Sequence, residues 1–396
     1  MTKKIIFVLA VFLASCTSNK ALKHPLDKSK SKTVILENGL KVYLLSDPSF
    51  NVSAASVSVE VGSLDNPDDR QGLAHFLEHM LFLGTEKYPD VDEYSSYLKT
   101  YGGYSNAYTA SDHTNYQFQV LPDGFEGALD RFSQFFISPL FTEEYTAREV
   151  NAVNSEHQKN MLNDNWRQFR VSSLFAKEGH PERKFGTGNL ETLGDITREE
   201  LIRFYNQHYS ANRMGVALLS THTLEDMEAW CQEYFSLIKN HNLDRNKYDP
   251  GFLEKKETFR LIQIDPVKDV RNLNLLFSLP ATRHLYKSKP GRQFGFILGY
   301  EGKGSLLSYL KQKGWALSLS AGAGSETSDY GNASVRIGLT EEGQKNYKDV
   351  IKATMDYIEL MRVEGQQKHV FDELKSMASL NEIYASKGEG MWRATQ

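Results

Sequence analysis

Cysteine is almost missing from this chain: of 396 residues only two are cysteine, Cys16 and Cys231. Cys16 belongs to the front segment, so Cys231 stands alone in the body of the protein. One thiol closes no internal disulfide, and an oxidising compartment would demand nothing of the fold. Net charge is also scarce, at −4. No basic stripe with interleaved aromatics appears, which excludes nucleic acid as an expected partner. Long apolar runs are lacking as well. The stretch 5–14 is too short for the roughly 20 residues that cross a bilayer.

What is present suffices for large cores, with 40% hydrophobic and 12% aromatic residues, and a length of 396 favours two domains. The front carries an address. Lys3 and Lys4 precede the apolar run, as in a secretory signal. The run ends Leu13-Ala14-Ser15-Cys16, which resembles a bacterial lipoprotein cleavage box. That resemblance implies removal of 1–15 and lipid attachment at Cys16, and Thr17 in place of Asp implies the outer membrane. The expected location is the bacterial cell envelope, lipid-anchored and facing the periplasm, with the membrane as a partner through the anchor. An ordinary cleaved signal is the alternative. Residues 16–32, rich in Lys and Ser, read as a flexible tether.

The most informative residues are His75-Phe76-Leu77-Glu78-His79. Positions i and i+4 share a helix face, so the two imidazoles can hold one metal ion with Glu78 beside it. The segment also reads as a helix without the motif. Asp68 and Asp69 can cap its start, Leu73, Phe76, Leu77, Met80 and Leu81 give an apolar stripe, and Gly84 can close it. A third ligand is available on a second long helix, at about 142–163. There Glu149 and Glu156, seven residues apart, share a face. His113, His157, His180 and His208 read as surface or hydrogen-bonded groups, and His157 points about 100° from Glu156 on the helix.

This pattern resembles the pitrilysin and insulin-degrading-enzyme family of inverted-motif zinc peptidases, in which H-x-x-E-H is followed after about 76 residues by a ligand Glu. Here 76 residues separate His79 from Glu156. The likeness extends through GTEKYP at 84–89, SNAYT at 105–109, NDNWR at 163–167 and KFGTGN at 184–189. It implies one Zn²⁺ per chain on His75, His79 and Glu156, with Glu78 as general base toward a metal-activated water. Glu149 is expected to orient a ligand from behind. It further implies an endopeptidase acting on peptides and short unfolded polypeptides, with Asn106, Ala107 and Tyr108 on a strand edge that holds the substrate. Segments 299–305 and 321–324 resemble the family's anchor for a substrate N-terminus. The family's distal half, which supplies transition-state donors, has no counterpart in this sequence. The alternative is therefore a catalytically weak or silent peptide-binding or scaffold subunit that needs that C-terminal half or a partner chain.

Local patterns give an α+β fold of tandem pitrilysin-like α/β sandwich domains, each a mixed, mainly antiparallel sheet packed against helices. A hairpin is expected where 34–36 and 41–45 flank Asn38-Gly39. Ala55, Val57, Val59 and Val61 alternate with polar residues as a half-buried strand. Asp90/Glu93, Asp123/Glu126 and Thr197/Glu200 read as capping boxes. The catalytic domain is placed at 33–238, a linker at 239–257 and a second, homologous domain at 258–396, opening with strands at 259–264 and 272–277. The repeat shows in Ser96-Tyr97-Leu98-Lys99 with Gly102 against Ser308-Tyr309-Leu310-Lys311 with Gly314, an offset of 212. At that offset His75, His79 and Glu156 meet Lys287, Gly291 and Lys368, so the second copy is expected to bind no metal. By the same comparison it is expected to be incomplete at its C-terminus.

Overall fold

The computed structural model describes residues 23–250, 259–325, 327–384 and 388–396. The expected signal segment, Cys16 and the front of the tether lie outside these residues. The expected tether gives way to strand earlier than the sequence suggested, because β1 (Lys30–Ile35) pairs antiparallel with β2 (Lys41–Ser46) from its first residue. The turn between them places Gly39 at φ +84°, and the Asn38 amide donates to the carbonyls of Phe235, Ser236 and Ile238 at 2.9–3.2 Å. A local turn thereby ties the first hairpin to a segment 200 residues later.

The remaining strands of the first sheet are β3 (Ser53–Val59), β4 (Tyr104–Thr109), β5 (Thr114–Val120) and β6 (Met214–Ser220). Their order is β1-β2-β6-β3-β5-β4, antiparallel throughout except for the β2–β6 pair. Ala55, Val57 and Val59 of β3 face the main core, packed with Phe76, Leu77, Phe118 and Phe132. Alternation along the strand sends Ser56 and Ser58 to the opposite face.

The helices of this domain are α1 (Leu73–Met80), α2 (Glu93–Thr100), α3 (Phe125–Ser133), α4 (Glu143–Met161), α5 (Asp164–Ser173), α6 (Leu190–Leu193), α7 (Arg198–His208) and α8 (Leu224–Tyr234). Their starts only partly follow the expected caps. Thr197 and Glu200 form the capping box of α7. At the other two the box is not closed: Asp90 accepts from the Asp92 amide at 2.9 Å just ahead of α2, but Glu93 is drawn into a bond with Arg131 at 2.7 Å instead of reaching back, and Asp123 makes no cap to α3, which begins after Gly124. Nor do Asp68 and Asp69 cap α1. Asn66 reaches across eight residues to accept from the Ala74 amide at 2.8 Å, while Asp68 faces solvent and Lys184. Helix α1 stops at Met80, and Gly84, at φ +91°, turns the chain three residues beyond Leu81.

The second unit has β7 (Asn272–Pro280), β8 (Ala316–Ser325) and β9 (Tyr330–Leu339) in the order β7-β9-β8, with α9 (Pro290–Leu298), α10 (Leu306–Gln312), α11 (Glu341–Lys345), α12 (Tyr347–Glu364), α13 (Lys368–Tyr384) and α14 (Met391–Ala394). Its sheet repeats the antiparallel β3-β5-β4 part of the first. The strand expected at 259–264 is not formed. There Phe259 is exposed, and the chain that follows is held by α5, whose Asp164 accepts from the Val267 and Lys268 amides. The repeated helices close alike: Gly103 N–H bonds Leu98 at 2.7 Å and Trp315 N–H bonds Leu310 at 2.9 Å, past glycines at φ +62° and +72°. Helix α9 carries no His, Asp or Glu. Helix α14 seats Met391 and Ala394 against Leu45, Ala54 and Leu219 on the outer face of the first sheet.

Candidate metal centre

Helix α1 lies buried on the first sheet, with Phe76, Leu77 and Met80 packed inward, and this fixes where its remaining side chains point. His75 and His79 emerge together, their rings 4.8 Å apart and nearly perpendicular. Helix α4 brings Glu156 across from them. Its Oε2 is 3.5 Å from His75 Nε2 and 3.9 Å from His79 Nε2. Among the described residues, these three form the one group whose donor atoms all lie within 4.8 Å of one another.

Both rings are oriented from behind. His75 Nδ1 meets the Thr187 carbonyl at 2.8 Å. A carbonyl only accepts, so the proton sits on Nδ1 and the Nε2 lone pair faces Glu156. His79 Nδ1 lies 3.4 Å from Glu149 Oε2, which turns its Nε2 the same way. Two imidazoles, each backed by an acceptor, and a carboxylate are a donor set that suits a zinc ion, and ligand–ligand gaps of this size need only slight closure around one. Burial lowers the proton affinity of His79, but the bond to Glu149 and the charges of Glu78 and Glu156 outweigh it. Glu149 is held below the usual carboxylate range by His79, against its partial burial, with further help from Arg148.

Glu78 stands apart from the ligands. It is 6% exposed, and the Thr109 hydroxyl donates to its Oε2 at 2.6 Å. Burial raises its proton affinity, offset in part by His75, Thr109 and His79. Thr109 belongs to β4, the sheet's last strand, whose second edge has no strand neighbour among the described residues. Along β4, Ser105, Ala107 and Thr109 are half-buried, while Tyr104, Asn106 and Tyr108 are exposed. The structure thus brings the strand carrying Asn106 and Ala107 beside the metal centre. Tyr108 points to the other face of the sheet, where its ring lines a cavity of about 300 Å³ with Ser56, Ser58 and Asn115. Its ring is therefore not on the metal side, because residue parity along a strand separates it from Thr109.

Of the other histidines, His157 packs on Phe185, His180 bonds the Asp249 carbonyl, His113 bonds Asp112, and His208 stacks near Phe204. The loop 299–305 and the strand segment 321–324 are neighbours: a Cβ on Gly299 would lie 3.8 Å from the Ala321 amide nitrogen.

Two contributions escaped the sequence reading, the Thr109 hydroxyl and the Thr187 carbonyl. Both sit within SNAYT and KFGTGN, so the signal was in hand without the atom that used it. A backbone crossing also went unseen. Gly72, at φ +94°, has no room for a Cβ, which would lie 2.2 Å from Gly188 Cα. That contact sets the Thr187 carbonyl over His75.

Comparison with known proteins agrees with this geometry. The family model described as Insulinase (Peptidase family M16) matches residues 41–178, and that described as Peptidase M16 inactive domain matches 195–377. The insulin-degrading enzyme of Homo sapiens is 43% identical over 366 residues, covering 91% of this chain and 36% of the relative. The A-factor-processing enzyme of Saccharomyces cerevisiae is 42% identical over 367 residues, covering 90% and 36%. The crystal structure of pitrilysin superposes with a TM-score of 0.84 at 29% identity, covering 95% of this chain and 41% of that one. This chain thus spans little more than a third of the length of the curated relatives it matches. With matching family models along most of its length, the fold of pitrilysin and a His-His-Glu centre beside a buried glutamate, the chain belongs to peptidase family M16, the insulinase and pitrilysin family.

Proposed function

We propose that this chain is the catalytic portion of a zinc-dependent endopeptidase that hydrolyses peptides and short unfolded polypeptides, with one zinc on His75, His79 and Glu156. The observation that carries this reading is the convergence of two Nε2 atoms and one carboxylate oxygen beside Glu78 and an unpaired strand edge. Bound there, zinc would acidify a water and polarise a scissile carbonyl. The rest falls to the protein. Thr109 holds one oxygen of Glu78, leaving the other to take a proton from water and return it to the leaving amine. Burial suits Glu78 to that exchange, since a carboxylate with raised proton affinity is a better base. The free edge of β4 offers main-chain donors and acceptors to an extended peptide, and these read any sequence. Peptide substrates also accord with the relatives, whose names specify insulin and A-factor.

The purified chain should bind close to one equivalent of zinc and cleave a quenched peptide in a chelator-sensitive way. Stoichiometric zinc binding without turnover would favour the second reading, a peptide-binding subunit that needs further polypeptide. Anchoring in the bacterial cell envelope through lipid on Cys16 is a further part of the proposal, supported by the 13–16 box; no helix of the described residues is long and apolar enough to cross a membrane. Mass spectrometry of the N-terminal peptide from a bacterial membrane fraction tests it, and an unmodified Cys16 would refute the anchor.

A further inference from the structure

We infer that the turn at 327–330, the tip of the β8–β9 hairpin, is a positioning element of the metal centre although it belongs to the domain that carries no ligand. The tip leaves its own sheet and plugs into the first domain. Tyr330 is 1% exposed and packs with Leu64, Ala176 and Tyr248, a cluster drawn from both domains and the segment between them. Thr327 braces the turn, its hydroxyl accepting from the Asp329 and Tyr330 amides at 3.1 Å.

From this plug, three successive residues each hold a loop that carries part of the centre. Ser328 donates from its amide to Asp112 at 2.8 Å and from its hydroxyl at 3.2 Å. Asp112 sits in the β4–β5 turn, three residues past the Thr109 that holds Glu78. Asp329 accepts from the Tyr248 amide at 3.0 Å and pairs with Arg245. Tyr248 donates in turn to Asp65 at 2.8 Å, beside the Asn66 that fixes the start of α1. Tyr330 donates to Glu182 at 2.5 Å and its ring meets His180 edge-on. That loop runs on to Thr187, the acceptor for His75, and is strapped to the segment leading into α1, where the Phe185 amide donates to Gln71 at 2.7 Å. The base, the start of the ligand helix and the acceptor behind the first ligand are thus all referred to one turn of the second domain. Partners that orient metal ligands from outside change metal affinity by about 10–100-fold when lost.

This inference rests on the zinc reading above, and the experiment separates the two. In the full chain, Tyr330→Phe keeps the ring and removes the hydroxyl that bonds Glu182, while Ser328→Ala removes one bond to Asp112. Arg336→Ala serves as control, since it breaks another cross-domain bond, to Asn165 at 3.0 Å, without touching the three loops. Zinc affinity is measured by competition with a chromophoric chelator, and amide exchange of 106–109 by mass spectrometry, well below each variant's Tm. The double variant Ser328→Ala/Tyr330→Phe should bind zinc about tenfold more weakly, with faster exchange in β4, while Arg336→Ala keeps wild-type affinity. A merely structural role would lower Tm in all variants and leave zinc affinity alike, and that result overturns the inference while leaving the zinc reading intact. A wild-type chain that takes up no zinc would overturn both.

Discussion

At the scale of single residues, the centre separates binding from chemistry, and substitution should separate them too. Glu78 touches Thr109 rather than a ligand, so Glu78→Gln should leave zinc content near wild type and abolish peptide hydrolysis. Glu156→Gln should do the reverse first, lowering zinc affinity before any effect on folding, because its carboxylate is partly exposed and not part of the core. Isothermal titration with zinc beside a quenched-peptide assay reads both. Retained turnover in Glu78→Gln would remove Glu78 from the mechanism. Cys231 has a different character: burial pushes its thiol up to about 12 and walls it into the core. It should resist a thiol reagent at pH 8 in the native chain and react on unfolding; peptide mapping after labelling shows which.

Elements owe their placement to contacts that sequence patterns describe unevenly. The α1 stripe was readable because a 3.6-residue period is a property of the helix itself, and so was the β1–β2 hairpin from Asn38-Gly39. The caps were less readable. Asn66, not Asp68 or Asp69, satisfies the first turn of α1, because the preceding loop folds back in space. Removing that acceptor in Asn66→Ala strands the buried Ala74 amide and should cost about 1–3 kcal/mol in urea unfolding. Gly72→Ala should cost roughly 1–3 kcal/mol from its left-handed φ alone, with more from the Gly188 contact. Because that crossing aims the Thr187 carbonyl at His75, zinc affinity should fall with stability. An unchanged affinity would show that the loop is free to adjust.

For the whole molecule, the joint between domains is polar and therefore sensitive to acid. Asp112 is buried, which by itself raises its proton affinity, but bonds from His113 and Ser328 and the charge of Arg283 outweigh this and hold it below the usual carboxylate range. Asp329 and Arg245 face the same region. A carboxyl whose folded pKa is depressed stabilises fully above its unfolded value of about 3.9 and loses that contribution as pH falls through the folded value. Acidification below about pH 3.9 should thus release amide protection at 110–113 and 327–330 before the β3–β5 core exchanges. Simultaneous loss in hydrogen-exchange measurements would mean that the joint is held chiefly by apolar packing around Tyr330.

The sequence by itself determined the ligand helix, the spacing that returns Glu156 to it, the first hairpin and the repeated helix with its closing glycine. Each is set by local geometry or by a pattern that survives without knowledge of contacts. Only the tertiary structure decided which atoms complete the centre. The Thr187 carbonyl, the Thr109 hydroxyl and the turn at 327–330 come from positions 31 to more than 200 residues away from the groups they serve. No period or propensity encodes such a meeting; the packing of one chain segment against another does, and it also tied the chain just beyond 259–264 to α5, with no strand formed in that stretch.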